Sequence, residues 1–413
     1  MVRRAFFLLA ALALAGCAEP LGGPRLGLTP STGVAFPGGG GGPAGRVALL
    51  APLTGANAEL GQALQQAAQL ALAAPGAPAL DVRDTAGTPA GAAAAAQAAV
   101  AGGDRLILGP LTAVETEAAA GPARAAGVPV LAFTNDAAAA RPGVWTLGIT
   151  PAQQVRRLVG AATAAGKSRI AALLPPSPFG QAMASALTAA ASAAGLPAPE
   201  IHIHDGSNGS IQRTLRDLSG YDTRRGPIDA KIKEARAKHT PEGRQEAAEL
   251  AKTPIPPPPF DALLLADTGE KLAWAVSFLG YYDIESPAVQ ILGPALWANR
   301  ALRGGANLNG AWYAAPDPDA RASFNAAYQA KYDAPAPLVA DVAYDAAAIA
   351  RVLAASGYST SALTRAQGFA GVDGVFALQP DGSVRRGLAV FAIQPGGPTV
   401  VEAAPTSFGG PGI

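Results

Sequence analysis

Arg46-Val47-Ala48-Leu49-Leu50-Ala51-Pro52-Leu53-Thr54-Gly55 opens the folded part of the chain, and its reading decides the fold. Val47 to Leu50 is a short apolar run without alternation, the pattern of a strand buried on both faces. Pro52 to Gly55 ends it in a turn, and Ala58 to Ala74 then carries Ala, Leu and Gln at helical spacing. The same unit recurs. Leu80 to Arg83 is a strand closed by Asp84-Thr85, and Thr88-Pro89 supplies an N-cap and a first-turn proline for an Ala-rich helix to about Ala101. Leu106 to Leu108 with Gly109-Pro110, a helix over Val114 to Ala126 and a strand over Val128 to Phe133 continue the series. Such alternation predicts a parallel sheet covered by helices on both faces.

A second series opens with a helix at Gln153 to Ala165, a strand Ile170 to Leu174, a helix Gln181 to Ala194 and a strand Glu200 to His204. It resumes with a strand at Ala262 to Ala266, a helix over Glu270 to Leu279 and a strand Val289 to Leu292. The expected fold class is therefore α/β, with two doubly wound parallel-sheet lobes. Ligands of such sheets bind beyond the carboxyl ends of the strands. Between the two parts of the second series, Tyr221 to Lys252 holds 14 charged residues in 32, against 15% for the whole chain. A helix over Ile228 to Lys238, a second start at Thr240-Pro241-Glu242 and the extended run Pro254 to Pro259 make this a helical hairpin inserted in lobe two. It reads either as a solvated insertion or as a docking surface.

The 413 residues carry 31 Lys and Arg against 30 Asp and Glu, so no clustered basic excess argues for nucleic acid. Arg3 and Arg4 precede an apolar run from Ala5 to Ala15, a secretory leader too short to span a bilayer. The leader ends in Leu14-Ala15-Gly16-Cys17, which resembles the bacterial lipobox, so Cys17 is expected to be lipidated. As the single Cys, it leaves no thiol for a disulfide, a metal site or catalysis. Ala18 after the Cys points to outer-membrane sorting in the lipoproteins that this resembles. Pro20 to Gly45, with the run Gly38 to Gly42, reads as a flexible tether.

Catalytic patterns are missing. His202 and His204 alternate on one predicted strand, but without a third ligand nearby they read as two partly exposed histidines, not a metal pair. Gly160 to Ser168 imitates a phosphate-binding loop with one residue too many between its glycines, and it follows a helix. No nucleophile elbow, zinc-binding helix or tuned carboxylate pair is visible. The expectation is a protein that is not an enzyme, without catalytic residues, cofactor or metal.

From Arg46 to about Gly397 the chain resembles the type I periplasmic binding proteins of the leucine/isoleucine/valine-binding lineage. The matching runs are PLTG at Pro52 to Gly55, DTAGTP at Asp84 to Pro89, LILGPLTA at Leu106 to Ala113 and ILGP at Ile291 to Pro294. Ala343-Tyr344-Asp345-Ala346 on a helix, and Gly374 to Phe391 with the turn Pro380 to Ser383, resemble the family's closing segment. The resemblance implies three crossings between lobes, near Thr150, Pro316 and Val375. That sets a signal peptide at 1–16, a tether at 17–45, lobe one at 46–149 and 317–375, and lobe two at 150–316 and 376–397. The insertion then falls at about 212–259 and a tail at 398–413.

The resemblance also implies a ligand site between the lobes. Thr54, Thr112, Ala113, Thr134 and Asn135 occupy lobe-one places whose hydroxyls and backbone N–H groups clamp a ligand carboxylate in amino-acid receptors of this fold. On lobe two, Phe179-Gly180 keeps an aromatic face, while Ala295 stands after Gly293-Pro294 where the carboxylate that holds a ligand ammonium is expected. Asp267 or Glu270 is the available substitute. Together with the lipobox and the charged insertion, this departure makes the chain look closest to the penicillin-binding-protein activators. These are lipoproteins that stimulate peptidoglycan synthases by contact, although studied members add a helical-repeat domain ahead of this fold. The implied function is a periplasmic, lipid-anchored activator at the outer membrane. The alternative is the substrate-binding lipoprotein of an ABC importer, partnered by its permease and binding an amino-acid-like or small carboxylate ligand.

Overall fold

Apolar runs too short for helices become strands with no exposed side. In the computed structural model, which describes residues 45–408, β1 (Arg46–Ala51) is buried from Val47 onward. The expected leader, Cys17 and the expected tether as far as residue 44 lie outside the described residues. With β2 (Ala79–Asp84), β3 (Ile107–Leu108), β4 (Val130–Ala132) and β5 (Val144–Thr146), it forms a parallel sheet in the order β2-β1-β3-β4-β5. Alternate side chains of β1 serve two cores. Val47, Leu49 and Ala51 pack with Leu64 and Ala67 of α1 (Ala58–Ala71), whereas Ala48 and Leu50 meet the alanines of α2 (Pro89–Ala101) and α3 (Ala113–Ala125). Each fully buried Leu contributes about 1.5–3 kcal/mol of transfer free energy.

The second sheet repeats the plan. α4 (Pro151–Ala164) leads into β6 (Ile170–Leu174), α5 (Pro178–Ala193), β7 (Glu200–Ile203) and α6 (Asn208–Leu218). After the insertion α7 (Tyr221–Arg224), α8 (Gly226–Ala237) and α9 (Pro241–Leu250), the chain returns as β8 (Ala262–Leu265), α10 (Gly269–Leu279), β9 (Gln290–Gly293) and β10 (Trp312–Ala315). Ala171 and Leu173 of β6 face α6 and α10, while Ala172 and Leu174 face α4 and α5. The chain then crosses back to lobe one. There α11 (Ala322–Tyr332), α12 (Val339–Leu353) and α13 (Thr360–Leu363) join the core of the first sheet, through Phe324, Tyr328 and Ile349 among others.

The last crossing differs from the expectation at Val375. β11 (Phe369–Gly371), β12 (Gly374–Leu378) and β13 (Val384–Arg386) form a small antiparallel sheet, and Phe376, Leu378 and Val384 pack into the core of lobe one. Only at Leu388 does the chain enter the core of lobe two, so the crossing lies between Val384 and Leu388. Gln153 marks the place by donating from Nε2 to the Val384 carbonyl at 2.6 Å. β14 (Ala389–Ala392) runs antiparallel beside β10, and β15 (Thr399–Glu402), inside the segment expected to be a tail, is the edge strand of the second sheet. Both sheets are otherwise parallel, as the expected fold class requires.

Strand order also says where a ligand would sit. In the first sheet the order reverses between β1 and β3, and in the second between β6 and β8. Loops leaving the carboxyl ends on either side of such a reversal part in opposite directions and open a crevice. The β1 and β3 loops carry Thr54 and Thr112, the β8 loop carries Asp267, and the β6 loop leads into α5, whose first turn carries Phe179.

Candidate functional site

At the mouth of lobe one, carboxylates of the protein hold two of the residues that were expected to face a ligand, Thr54 and Thr112. Thr54 donates its hydroxyl to Asp84 at 2.6 Å, and the Leu53, Thr54 and Ala86 N–H groups donate to the same carboxylate at 2.8, 3.3 and 2.7 Å. Partial burial works against the charged form of Asp84, but these hydrogen bonds outweigh it and hold the pKa below the usual carboxylate value. Thr112 is the N-cap of α3 in a capping box with Glu115. The Glu115 carboxylate, fully buried, accepts from the Thr112 N–H at 3.1 Å, the Thr112 hydroxyl at 2.7 Å and the Thr85 hydroxyl at 2.6 Å. Ala113 and Val114 open the helix, where N–H groups have no intrahelical acceptor. Thr134 is buried and accepts from the Asp136 N–H at 3.0 Å; Asn135 beside it is exposed.

Lobe two is arranged with a histidine instead. His204 was expected to be partly exposed; it is 1% exposed, and its Nε2 lies 2.9 Å from Oδ2 of Asp267, itself 3% exposed. The Gly206 N–H donates to His204 Nδ1 at 2.9 Å, which makes Nδ1 the acceptor and leaves Nε2–H to donate to the carboxylate. Asp267, the residue available to hold an ammonium, thus already has a partner. Glu270 begins α10 and is exposed. His202 remains at the surface against Glu200 at 3.2 Å. At Ala295 the side chain is a methyl group and the backbone N–H donates to Oε1 of Gln154 at 2.8 Å. Phe179 is half-buried at the start of α5. Gly180 after it is required because a Cβ would lie 2.1 Å from the Pro175 carbonyl.

Cavities of about 380 and 260 Å³ lie beside α4 and beside α12, and none of the expected ligand residues lines either. Among the described residues no group of three His, Cys, Asp or Glu side chains is placed to hold a metal, and no helix is long and apolar enough to cross a membrane. The phosphate-loop imitation is engaged elsewhere: Lys167 Nζ donates to the Pro287 and Ala288 carbonyls at 2.8 and 3.1 Å.

Two buried sheets, each reversing where the expected residues sit, agree with the comparison to known families, in which residues 45–244 match the model described as periplasmic binding protein. That stretch belongs to the periplasmic binding-protein family. In solved structures the likeness to this fold covers 86–88% of the chain. A protein from Rhodospirillum rubrum, provisionally assigned to a branched-chain amino acid ABC transporter, is 21% identical with TM-score 0.65, over 87% of this chain and all of that one. The C-domain of LpoA from Haemophilus influenzae, a regulator of PBP1A, is 16% identical with TM-score 0.60, over 86% of this chain and 99% of that one. Against full-length LpoA the match spans 59% of that chain. An ABC-transporter solute-binding protein from Rhodopseudomonas palustris, solved with 3,4-dihydroxybenzoic acid, is 17% identical with TM-score 0.52, over 88% and 97% of the two chains. At these identities the likeness is one of fold. A comparison with curated protein sequences found no match.

Glu115, Gln154 and His204 were missed from the sequence as partners of the expected ligand residues; Asp267 was expected, but without its histidine. Only Glu115 had a local signal, the spacing Thr112-x-x-Glu115 of a capping box.

Proposed function

We propose that the chain is a non-enzymatic, lipid-anchored periplasmic protein that regulates cell-wall synthesis by protein contact, as an activator of a peptidoglycan synthase. The observation that carries this reading is that polar groups at four of the places expected to grip a solute are engaged within the protein: Thr54 by Asp84, Thr112 by Glu115, Asp267 by His204 and the Ala295 N–H by Gln154. A solute receptor needs such groups directed at its ligand. A contact protein needs a rigid body and an accessible surface, and the insertion supplies one. Its helices α8 and α9 bury little beyond Ala235, Gly243 and Ala247 against each other. They are anchored by Tyr221, stacked 5.7 Å from Tyr281, and by Arg224, which donates to the Tyr282 carbonyl at 2.9 Å. The fold shared with LpoA, a regulator of PBP1A, points the same way.

The test is a peptidoglycan-synthesis assay with the purified full-length chain and the bifunctional synthases of its own organism. Stimulation that drops when residues 226–252 are replaced by a short linker supports the reading; no binding and no stimulation of any synthase ends it. Anchoring is checked separately. Cys17→Ala should abolish incorporation of a fatty-acid analogue and release the protein from the membrane fraction, and persistent label would refute the lipidation.

A second reading, a receptor of an ABC importer, is favoured by one observation. The Ala113 and Val114 N–H groups stand at the lobe-one reversal, while position 295 carries a methyl group in place of a carboxylate. This suits a carboxylate without an ammonium, and the relative solved with 3,4-dihydroxybenzoic acid supports that class. Calorimetric titration with leucine, its 2-keto analogue and hydroxybenzoates separates the cases. Tight leucine binding without response to the keto acid would exclude this ligand class.

A further inference from the structure

The larger cavity lies beside α4, and none of these loops lines it. α4 contributes Arg156 and Arg157 to it, the crossing from β13 to β14 contributes Arg385, Arg386 and Leu388, and Phe408 closes one wall. Four arginines from segments more than two hundred residues apart in sequence line one space of about 380 Å³. We propose that this cavity binds a small organic anion, a carboxylate or phosphate head on an apolar body, at the junction of the two lobes.

The arginines differ in what already holds them. Arg157 is structural: it donates to the Leu388 and Ala403 carbonyls at 2.8 and 3.0 Å and pairs with Glu402 at 2.5 Å. Arg386 is buried to 1% side-chain exposure. It donates from Nη2 to the Leu147 carbonyl at 2.8 Å, while Asp345 and Asp373 stay at 4.0 and 3.9 Å. Its Nε and Nη1 have no hydrogen-bond partner, and buried guanidinium N–H groups are costly to leave so. Arg385 holds its guanidinium 4.8 Å from the centre of the Phe408 ring, and Arg156 is exposed, with no ion pair among the described residues. Planar guanidinium forks match carboxylate and phosphate oxygens in pairs. The volume is that of an organic ligand rather than a bare ion, and Leu388 and Phe408 offer its body an apolar surface.

Position gives the site a consequence. Val384, next to Arg385, belongs to the core of lobe one, and Leu158 and Val159, next to Arg157, belong to the core of lobe two. An anion held by Arg156 and Arg385 together would bridge the lobes where the chain makes its last crossing.

Titration calorimetry of the full-length chain with phthalate and with phenyl phosphate, using benzyl alcohol and sodium chloride of equal ionic strength as controls, tests the site. Saturable binding of either anion, with no response to the controls, is expected, and which one binds identifies the head group. Arg156→Glu and Arg385→Glu should each weaken it by about tenfold or more, the loss expected for a charge-assisted hydrogen bond. Glu402→Gln, which releases Arg157, should tighten it. Arg156 is exposed, so its variant folds and decides the matter if Arg385→Glu does not. Absence of binding up to millimolar anion, binding unchanged in Arg156→Glu, or equal competition by chloride would overturn the proposal.

Discussion

The two lobes reach the same end by opposite chemistry. At the mouth of lobe one, carboxylates accept: Asp84 and Glu115 gather hydroxyls and N–H groups that in a receptor of this fold would face a ligand anion. At the mouth of lobe two a carboxylate is itself held, Asp267 by His204, with both side chains nearly inaccessible. The difference in burial matters more than the difference in sign. Thr54 is exposed, so water can replace its bond to Asp84, whereas Asp267 has no such recourse if its histidine is lost. A site whose donors and acceptors are already matched internally holds its loops in place and offers little to an incoming solute.

The comparison breaks first at His204. His204→Ala strands a buried carboxylate and is expected to lower stability by about 3–5 kcal/mol in a denaturant titration; a loss below about 1 kcal/mol would mean that Asp267 finds water. A second measurement uses the charges buried behind lobe one. Asp345, buried between α12 and the small sheet, is pushed up to about 7, first by burial and then by Asp373 and Asp341, against the pull of Arg386 and the Val372 N–H. Asp341 is pushed up to about 6 by burial and Asp373, with Arg321 opposing. Both folded-state values lie above the unfolded 3.8, so the native state binds the extra protons more tightly. Their contribution is complete below about pH 4 and is lost as pH rises towards 7, a change on the order of a few kcal/mol. The decline should be shallower in Asp345→Asn, and an unchanged slope would assign it elsewhere.

Smaller effects sharpen the picture of lobe one. Glu115→Gln keeps the shape but removes the charge that gathers Thr112 and Thr85, and should cost about 1–2 kcal/mol. With that carboxylate neutral, 2-keto acids should bind more tightly than to the wild type, by calorimetry; no change would show that the α3 N-terminus is not where anions approach. Thr54→Val, at an exposed position, should cost less than about 1 kcal/mol by thermal unfolding. A larger loss would mean that the lobe-one mouth is as dependent on its internal bonds as lobe two.

Much of the fold was legible because its determinants are local. Ile170 to Leu174 reads as a buried strand from five residues alone, and Thr88-Pro89 and Thr240-Pro241 start helices where the structure caps them. The hairpin turn at Pro380 to Ser383 was likewise visible, and Leu378 pairs with Val384 across it. The crossing inside the closing segment was not, because Gly374 to Phe391 carries no mark of where the chain leaves one sheet for the other. His204 was misjudged for a related reason: its neighbours His202 and Asp205 suggest an exposed strand end, and its partner stands 63 residues away.

What the sequence by itself determined is the alternation of buried strands and capped helices, and hence two parallel sheets with their loops at the carboxyl ends. These follow from period, propensity and capping, which act over a few residues. Only the tertiary structure decided how the polar groups on those loops are matched. Gln154 meets Ala295 across 141 residues and Gln153 meets Val384 across 231. The four arginines meet beside α4 only because the last crossing passes there. Burial and pairing of a charge depend on which distant segments the packed sheets bring together, and no local pattern records that.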